Sequence, residues 1–475
     1  MSATETTKGS TMPARKVFEL LGATVADGCA ARLGRLSMPG RRPIDTPNYT
    51  AVTSRGAVPH LTPDNVSKHT GVGSAYMALE DFSPRAGEAT DTGRLVVERQ
   101  EPPIYNTPSR GNLGRLHGFA ALAPDTTVVL GARRCPPVIT PMGNGAKSVT
   151  LFTSTGFAHV TVSQYVAAVR DLQPDVVVPL ADSLHTSKTP SSKKLIKMVE
   201  RTEEWVDDFL RQLESREGPD HAPGAAVSVF APVLPVELPI QWDYLRHLAE
   251  DVAEHLAGLA VYDAGILPEL QAYEPLRFLP RLSLDLPKSP HDILRQVSLG
   301  VDLCALPFVN SVSDAGVALT FVFPAPPPHA RPAQPLAVDM WSEEHNAALA
   351  PLQEGCRCFA CSNHHRAYVR HCLNAKEMVG WNLLQMHNHY VVGKFFEGIR
   401  SELARGLDVF EESRKAFLAA YEPELPEGTG ARPRARGYHF KSEAGQAKIN
   451  KSTWVADFEG GLPNGHADQA EGGGT

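Results

Sequence analysis

The chain has 475 residues, of which 42% are apolar and 21% charged, the composition of a soluble globular protein. No apolar run approaches the ~20 residues that span a bilayer, and the first residues, MSATETTKGSTMPARK, lack the hydrophobic core of a secretory signal, so we expect a cytoplasmic protein. The net charge of −7 excludes a globally basic nucleic-acid binder and leaves only local basic patches.

Short apolar runs alternate with amphipathic stretches, after a polar segment, 1–13, that we expect to be disordered. Helical periodicity is clearest at 193–215, 242–256 and 290–300. This alternation predicts an α/β fold with a parallel sheet, and its length favours a (β/α)8 barrel of the TIM type over residues 14–323. The strand candidates are TTVVL (126–130), DVVVPL (175–180), AAVSVFAP (225–232), LAGLAVYD (256–263), PRLSLDL (280–286), VDLCALPFV (301–309) and GVALTFVF (316–323).

The chain beyond the barrel divides into three parts by composition. PAPPPHARPAQP (324–335) is too rich in proline for a helix or strand, so we expect a linker or insertion over 324–340. A metal-binding subdomain with C-terminal helices should follow over 341–425, and a disordered tail over 426–475. The tail is either a solvated appendage or an arm that contacts phosphates. Its basic residues are Arg432, Arg434, Arg436, Lys441, Lys448 and Lys451, among which Glu443 is the one acid.

Three of the seven cysteines, Cys356, Cys358 and Cys361, lie within six positions. The odd total and the scatter of the other four do not match a disulfide framework. Thiolates are soft ligands that suit zinc, which usually takes four ligands in a tetrahedron. The alternative is a set of unpaired cysteines. The cluster therefore predicts a zinc site whose fourth ligand lies downstream.

Helix geometry selects the fourth ligand among the downstream histidines and Cys372. NHHRAYVRHCL (363–373) is typical of a short helix of roughly 15 Å, and the Asn374 to Glu377 spacing resembles a cap that begins a second helix. A return of roughly 20 Å along that helix brings His387 back to the cysteines. With four protein ligands the shell is closed, so we predict one structural zinc ion per subunit and no metal-activated water. The other candidates were His364, His365, His371 and His389.

The segment 356–400 resembles the zinc subdomain of the tRNA-guanine transglycosylases. Their pattern has Cys-x-Cys-x-x-Cys, a helical Arg-Ala-Tyr, and His-Asn 26 residues after the last cysteine. Arg366-Ala367-Tyr368 and His387-Asn388 fall on that pattern here. Fainter similarity covers 172–183, 200–210 and 300–307. The resemblance implies a (β/α)8 barrel with a zinc subdomain near its C-terminus, in a protein family that exchanges guanine in tRNA for queuine or its precursor.

The catalytic positions of that family are not kept. The Asp-Ser-Gly-Gly-Phe-Gln string is missing, and the corresponding region, 139–156, contains no acid. In GVDLCALP (300–307), Ala305 stands where the nucleophilic aspartate belongs, and alanine has no lone pair with which to attack a ribose carbon. No base is evident that would activate Cys304. Asp182 matches a substrate-pocket aspartate of catalytic members, although its partners are missing. We therefore expect no catalytic residue in this chain.

The chain has the zinc ligands of the family but not its catalytic residues, which implies a non-catalytic branch of the family. Its members pair with a separate catalytic subunit, and VPHLTPDNV (58–66) supports this branch. We expect a heterodimer that binds tRNA, with peripheral association at the mitochondrial outer membrane as a further hypothesis. Two alternatives are a self-sufficient enzyme with relocated acids, such as Asp182 and Asp302, and a zinc-stabilised scaffold that does not contact tRNA.

Overall fold

A computed structural model describes nine segments of the chain. The predictions for 1–13 and for the tail beyond 433 lie outside the described residues, as do positions 327–332 of the proline-rich segment. The described segments are 17–21, 31–82, 103–108, 113–140, 143–153, 156–183, 190–215, 227–326 and 333–433.

Eight parallel strands form a closed barrel, which confirms the predicted (β/α)8 fold. Each strand pairs with its neighbours in chain order, and the last strand pairs with the first to close the ring. The strands are β1 (Asn48–Val52), β2 (Ser74–Ala78), β3 (Thr127–Gly131), β4 (Val176–Val177), β5 (Ser228–Val233), β6 (Gly258–Val261), β7 (Arg281–Ser283) and β8 (Leu303–Leu306).

Successive side chains on each barrel strand point to opposite faces, as the strand period of two requires. On β8, Leu303 and Ala305 belong to the cluster that fills the barrel, whereas Cys304 and Leu306 pack outward against the helices. Tyr76 of β2 and Phe230 of β5 supply large rings to the interior. The barrel is therefore a packed core and not an open channel.

Thirteen α-helices cover the described part of the barrel and build the C-terminal region. The helix after β3 begins at a capping box, in which the Thr161 hydroxyl accepts from the Gln164 amide and the Gln164 side chain accepts from the Thr161 amide. The helices are α1 (Pro63–His69), α2 (Pro103–Asn106), α3 (Arg115–Ala120), α4 (Val162–Leu172), α5 (Ser192–Glu214), α6 (Leu238–Glu250), α7 (Glu274–Arg277), α8 (Pro290–Ser298), α9 (Phe308–Asp314), α10 (Phe359–Asn363), α11 (Arg366–Asn374), α12 (Met378–Arg405) and α13 (Leu407–Ala420). Short 3-10 helices occur at 79–81, 253–255, 264–272 and 343–345.

A three-stranded antiparallel sheet closes the N-terminal end of the barrel. Phe18, Leu36 and Ile44 of this sheet pack in the same cluster as the residues of the barrel interior. Further antiparallel strands form a hairpin after β3 and a two-stranded sheet after α9. The bounds are Phe18–Leu21, Leu33–Leu36 and Ile44–Thr46 for the first sheet, Ser148–Thr153 and Gly156–Thr161 for the hairpin, and Val317–Leu319 and Ala337–Asp339 for the last.

The structure corrects three details of the sequence-based prediction. The run 316–323 forms a strand only over Val317–Leu319, and that strand lies outside the barrel, paired with Ala337–Asp339 inside the segment predicted as a linker. The barrel strands β1 and β2 were not predicted at all. The predicted cap at Asn374 is also wrong, because α12 begins at Met378 after a turn in which Lys376 has φ of +56°.

Candidate metal centre and barrel mouth

Cys356 and Cys358 lie on the loop that leads into α10, and Cys361 lies in its first turn. The Sγ atom of Cys358 accepts a hydrogen bond from the backbone amide of Cys361 at 3.3 Å, which caps the helix and turns both thiols to the same side. Cys358 is buried, whereas Cys356 and Cys361 are half-buried. The start of α10 thus brings the thiols of the Cys-x-x-Cys segment together.

The long helix α12 brings His387 to these cysteines. Its Nδ1 atom lies 3.7 Å from the Sγ atom of Cys356 and 3.4 Å from those of Cys358 and Cys361. All four ligand atoms lie within 4.8 Å of one another. A tetrahedral zinc ion, with bonds of about 2.3 Å to sulfur and 2.0 Å to nitrogen, places sulfur and nitrogen about 3.5 Å apart. The four side chains therefore fit a tetrahedral metal ion.

Hydrogen bonds to the strand Val317–Leu319 fix the orientation of the imidazole. The Nε2 atom of His387 donates to the carbonyl of Leu319 at 2.8 Å, which leaves the Nδ1 lone pair facing the cysteines. The next residue, Asn388, accepts from the Leu319 amide and donates to the Val317 carbonyl. Sequence reasoning did not find the role of Leu319, since its side chain has no part in this contact.

The four groups strongly perturb one another. Burial lowers the pKa of His387, but hydrogen bonds with Cys356 and Cys361 outweigh burial and raise this pKa to about 9. Hydrogen bonds from Cys356 and Cys358 lower the pKa of the Cys361 thiol, whereas those from Cys356 and Cys361 raise the pKa of Cys358. Three thiolates so close together repel, and a divalent cation would supply the compensating charge. Metal uptake at this site should therefore release protons.

Asp182 lies beyond the C-terminal end of β4, on the face of the barrel where TIM-type enzymes carry their active sites. Its carboxylate accepts a hydrogen bond from Asn144 at 2.8 Å and pairs with Arg201 at 3.0 Å. Its backbone amide donates to the hydroxyl of Thr202. Asp182 is thus near the barrel mouth but already has two protein partners.

Asp302 lies at the opposite end of the barrel, directly before β8. It forms a buried, bidentate ion pair with Arg32 of the N-terminal region and accepts from the amide of Arg281. On β8, Cys304 points outward to Gln296, and burial raises the pKa of its thiol well above the usual range. Ala305 points into the barrel and is fully buried. The structure does not bring Asp182 and Asp302 together.

An eight-stranded parallel barrel followed by a Cys3His group on C-terminal helices defines a TIM-barrel protein with an appended metal centre. The chain belongs to the queuine tRNA-ribosyltransferase family, whose model matches residues 27–423.

Several relatives are named "Queuine tRNA-ribosyltransferase accessory subunit 2". The one from Schizosaccharomyces pombe is 33% identical over 415 residues, which cover 87% of this chain and 87% of that protein. Those from Anopheles gambiae and Xenopus tropicalis are each 27% identical, over 84% and 80% of this chain and 91% and 95% of their own length.

Proposed function

We propose that this chain is the non-catalytic subunit of a heterodimeric queuine tRNA-ribosyltransferase, which exchanges guanine for queuine at the wobble position of the tRNA anticodon. Ala305 carries this proposal, because a buried methyl group inside the barrel cannot form a covalent bond to ribose. The relatives named as accessory subunits support the same role. The catalytic acids would then come from the partner subunit.

The alternative of a self-sufficient enzyme needs acids that converge on one substrate. Asp302 is at the N-terminal end of the barrel and neutralises Arg32, so it is a structural residue. Asp182 is near the barrel mouth, but Arg201 and Asn144 hold its carboxylate. One restrained carboxylate does not supply both a nucleophile and a general acid or base.

The metal is proposed to be one structural zinc ion, held by Cys356, Cys358, Cys361 and His387. The soft, sulfur-rich donor set and the tetrahedral spacing favour zinc. Bound there, the ion would supply folding free energy and no open position for chemistry. It would tie the loop before α10 to the middle of α12.

The partner surface is proposed on the metal-binding helices. Tyr368 of α11 stacks on His364 with ring centroids 5.0 Å apart and remains 36% exposed. At the start of α12, Met378 and Val379 are 55% and 39% exposed. Apolar and aromatic side chains that remain open to solvent are the usual anchors of a protein interface.

The location of the pair is proposed to be cytoplasmic, with peripheral contact at the mitochondrial outer membrane as a separate hypothesis. Over the part of the chain that is described, no helix combines the length and apolarity needed to cross a membrane.

A labelled-guanine exchange assay tests the proposed function. The chain alone should release no labelled guanine from tRNA, whereas a mixture with a catalytic family member should exchange it far faster than either chain alone. The mixture should also elute as a stable heterodimer. Robust exchange by the isolated chain, retained after Asp182→Ala and after removal of host enzyme, would refute the accessory role. A scaffold without tRNA contact would form the heterodimer but leave the tRNA affinity of the partner unchanged.

A further inference from the structure

A cleft of about 500 Å³ separates the barrel from the metal-binding loop. One wall is the C-terminal end of α1 with Lys68 and His69, and another is the cysteine loop with Arg357 and Phe359. The floor is a face of α12 that carries Lys394 and Arg400. None of these six residues has a role in the metal centre or in the barrel mouth.

The cleft is positively charged in a chain that is negative overall. Among the described residues that line it, Lys68, Arg357, Lys394 and Arg400 are basic and Glu397 is the one carboxylate. Their net charge is +3, against −7 for the whole chain. Lys68 and Lys394 pair with Asp64 and Glu397, but these pairs are more than half exposed. Exposed pairs stabilise a protein by about 0–1 kcal/mol, so a stronger anion can displace the carboxylates.

Two of the basic residues are held in place by the fold. Arg357 lies between two proposed zinc ligands, Cys356 and Cys358, so the metal loop fixes the position of its backbone. Arg400 donates from Nη1 to the carbonyl of Pro47 at 2.7 Å, which anchors the guanidinium at the floor of the cleft. Positively charged groups that are ordered before binding lose less entropy when an anion arrives.

Aromatic rings stand between the charges. Phe359 is 37% exposed and contacts the ring of His69, with centroids 4.7 Å apart. The Nζ atom of Lys394 lies over the ring of Tyr390, 5.7 Å from its centroid. Basic side chains that alternate with open rings are typical of sites that bind the RNA backbone and stack an unpaired base.

We propose that this cleft binds the sugar–phosphate backbone of tRNA, with one unstacked base against Phe359. This inference rests on the proposed function, which supplies tRNA as the ligand. The ring of Phe359 also contacts His364, which stacks on Tyr368 of the proposed partner surface. RNA in the cleft would therefore lie beside the catalytic subunit. An acidic segment of the partner would suit the charge but would not use the exposed rings.

Titration of a fluorescein-labelled tRNA transcript with G at the wobble position tests the cleft. Fluorescence anisotropy is measured from about 50 to 300 mM KCl, for the full chain alone and in the mixed heterodimer. Lys68→Gln, Arg357→Gln and Lys394→Gln together should weaken binding by about tenfold or more at 0.1 M salt and reduce the salt slope by about two to three. Phe359→Leu should weaken binding by about tenfold and leave that slope unchanged.

The matched control neutralises three exposed lysines on α5, namely Lys193→Gln, Lys194→Gln and Lys197→Gln. Because α5 joins β4 to β5, it lies across the barrel from β1 and the cleft, so this variant should bind as the wild type does. Zinc content and thermal unfolding are measured on every variant, and Lys68→Gln with Lys394→Gln is a second test that leaves the metal loop intact.

Three results would overturn the proposal. The first is an unchanged tRNA affinity and salt slope in the cleft variants. The second is an equal loss of tRNA affinity in the α5 control. The third is that the cleft variants lose heterodimer formation while the chain alone still binds tRNA. The last result would assign the cleft to the partner protein. If the wild-type mixture fails to exchange guanine, the proposed function fails, while tRNA binding by the chain alone still decides whether the cleft is an RNA site.

Discussion

Two arginine–aspartate pairs near the N-terminal end of the barrel differ in burial. Arg32 and Asp302 retain 9% and 0% of their side-chain exposure, whereas Arg35 and Asp45 retain 47% and 50%. The buried guanidinium also donates to the carbonyls of Arg277 and Leu279. Removal of one buried charge leaves its partner unpaired in a region of low dielectric, whereas water replaces an exposed partner.

Asp302→Asn should therefore lower the free energy of unfolding by about 3–5 kcal/mol, and Asp45→Asn should change it little. Urea denaturation followed by circular dichroism measures both. The heterodimer formed by the surviving folded Asp302→Asn protein should exchange guanine at the normal rate. A selective loss of exchange without a loss of stability would return Asp302 to the candidate catalytic residues.

Ala305→Asp tests the lost nucleophile directly. Because Ala305 is fully buried in the barrel interior, the new carboxylate should destabilise the protein. It should not create exchange activity, since Asn144 and Arg201 already hold the carboxylate of Asp182 near the mouth. Labelled-guanine exchange by the isolated variant is the measurement, with Ala305→Ser as the control for added volume. Turnover by the Ala305→Asp variant alone would show that one residue separates the catalytic from the non-catalytic members of the family.

At the scale of elements, α10 to α12 should depend on the proposed zinc ion. Cys358→Ser should reduce bound zinc from about one per chain to near zero and unfold these helices, because the binding free energy of the ion is part of the folding free energy. Elemental analysis and hydrogen exchange measure the two effects. Cys372→Ser is the matched control, since Cys372 is buried on α11 but lies outside the Cys3His group.

Full zinc occupancy after joint replacement of Cys356 and Cys361 would refute the ligand assignment. If α12 keeps its hydrogen-exchange protection in the zinc-free Cys358→Ser protein, the ion that the wild type binds does not stabilise these helices.

The sequence predicts some elements better than others for physical reasons. The strands from β3 to β6 are mostly apolar and include β-branched valines, so their sequences alone indicate strands. NYTAV of β1 and SAYMA of β2 are partly polar and contain few β-branched residues, and tertiary contacts such as that between Tyr49 and His389 bury them. An apolar run does not show which strand it pairs with, so GVALTFVF (316–323) indicates a strand but not that Val317–Leu319 pairs outside the barrel.

The candidate metal site was more predictable than the barrel mouth. Cysteine spacing and two helix lengths point to His387, because both are local properties of the chain. The partners of Asp182, in contrast, come from the segment after β3 and from α5, and the Arg32–Asp302 pair spans 270 residues. No local pattern contains such contacts.

At the scale of the whole molecule, the proposed function depends on pairing with a catalytic subunit. Met378→Asp with Val379→Asp should abolish both the heterodimer and its guanine exchange, because charges would be buried against the partner. Size-exclusion chromatography with light scattering measures the pairing. Ile196→Asp on α5 is the control, since Ile196 is 46% exposed on the far side of the barrel. A stable heterodimer in the double variant would place the interface elsewhere.

The 28 residues of α12 carry the exposed pair at its start, the metal ligand in its middle and the cleft residues beyond. An α-helix turns by about 100° per residue, so one residue inserted between Val379 and His387 would rotate the partner surface away from the metal centre. Substitutions can alter these features one at a time, but a change of length alters their mutual orientation at once. In descendants of this chain, insertions should therefore accumulate in the loops between barrel elements, whereas selection should remove insertions between Met378 and Arg400.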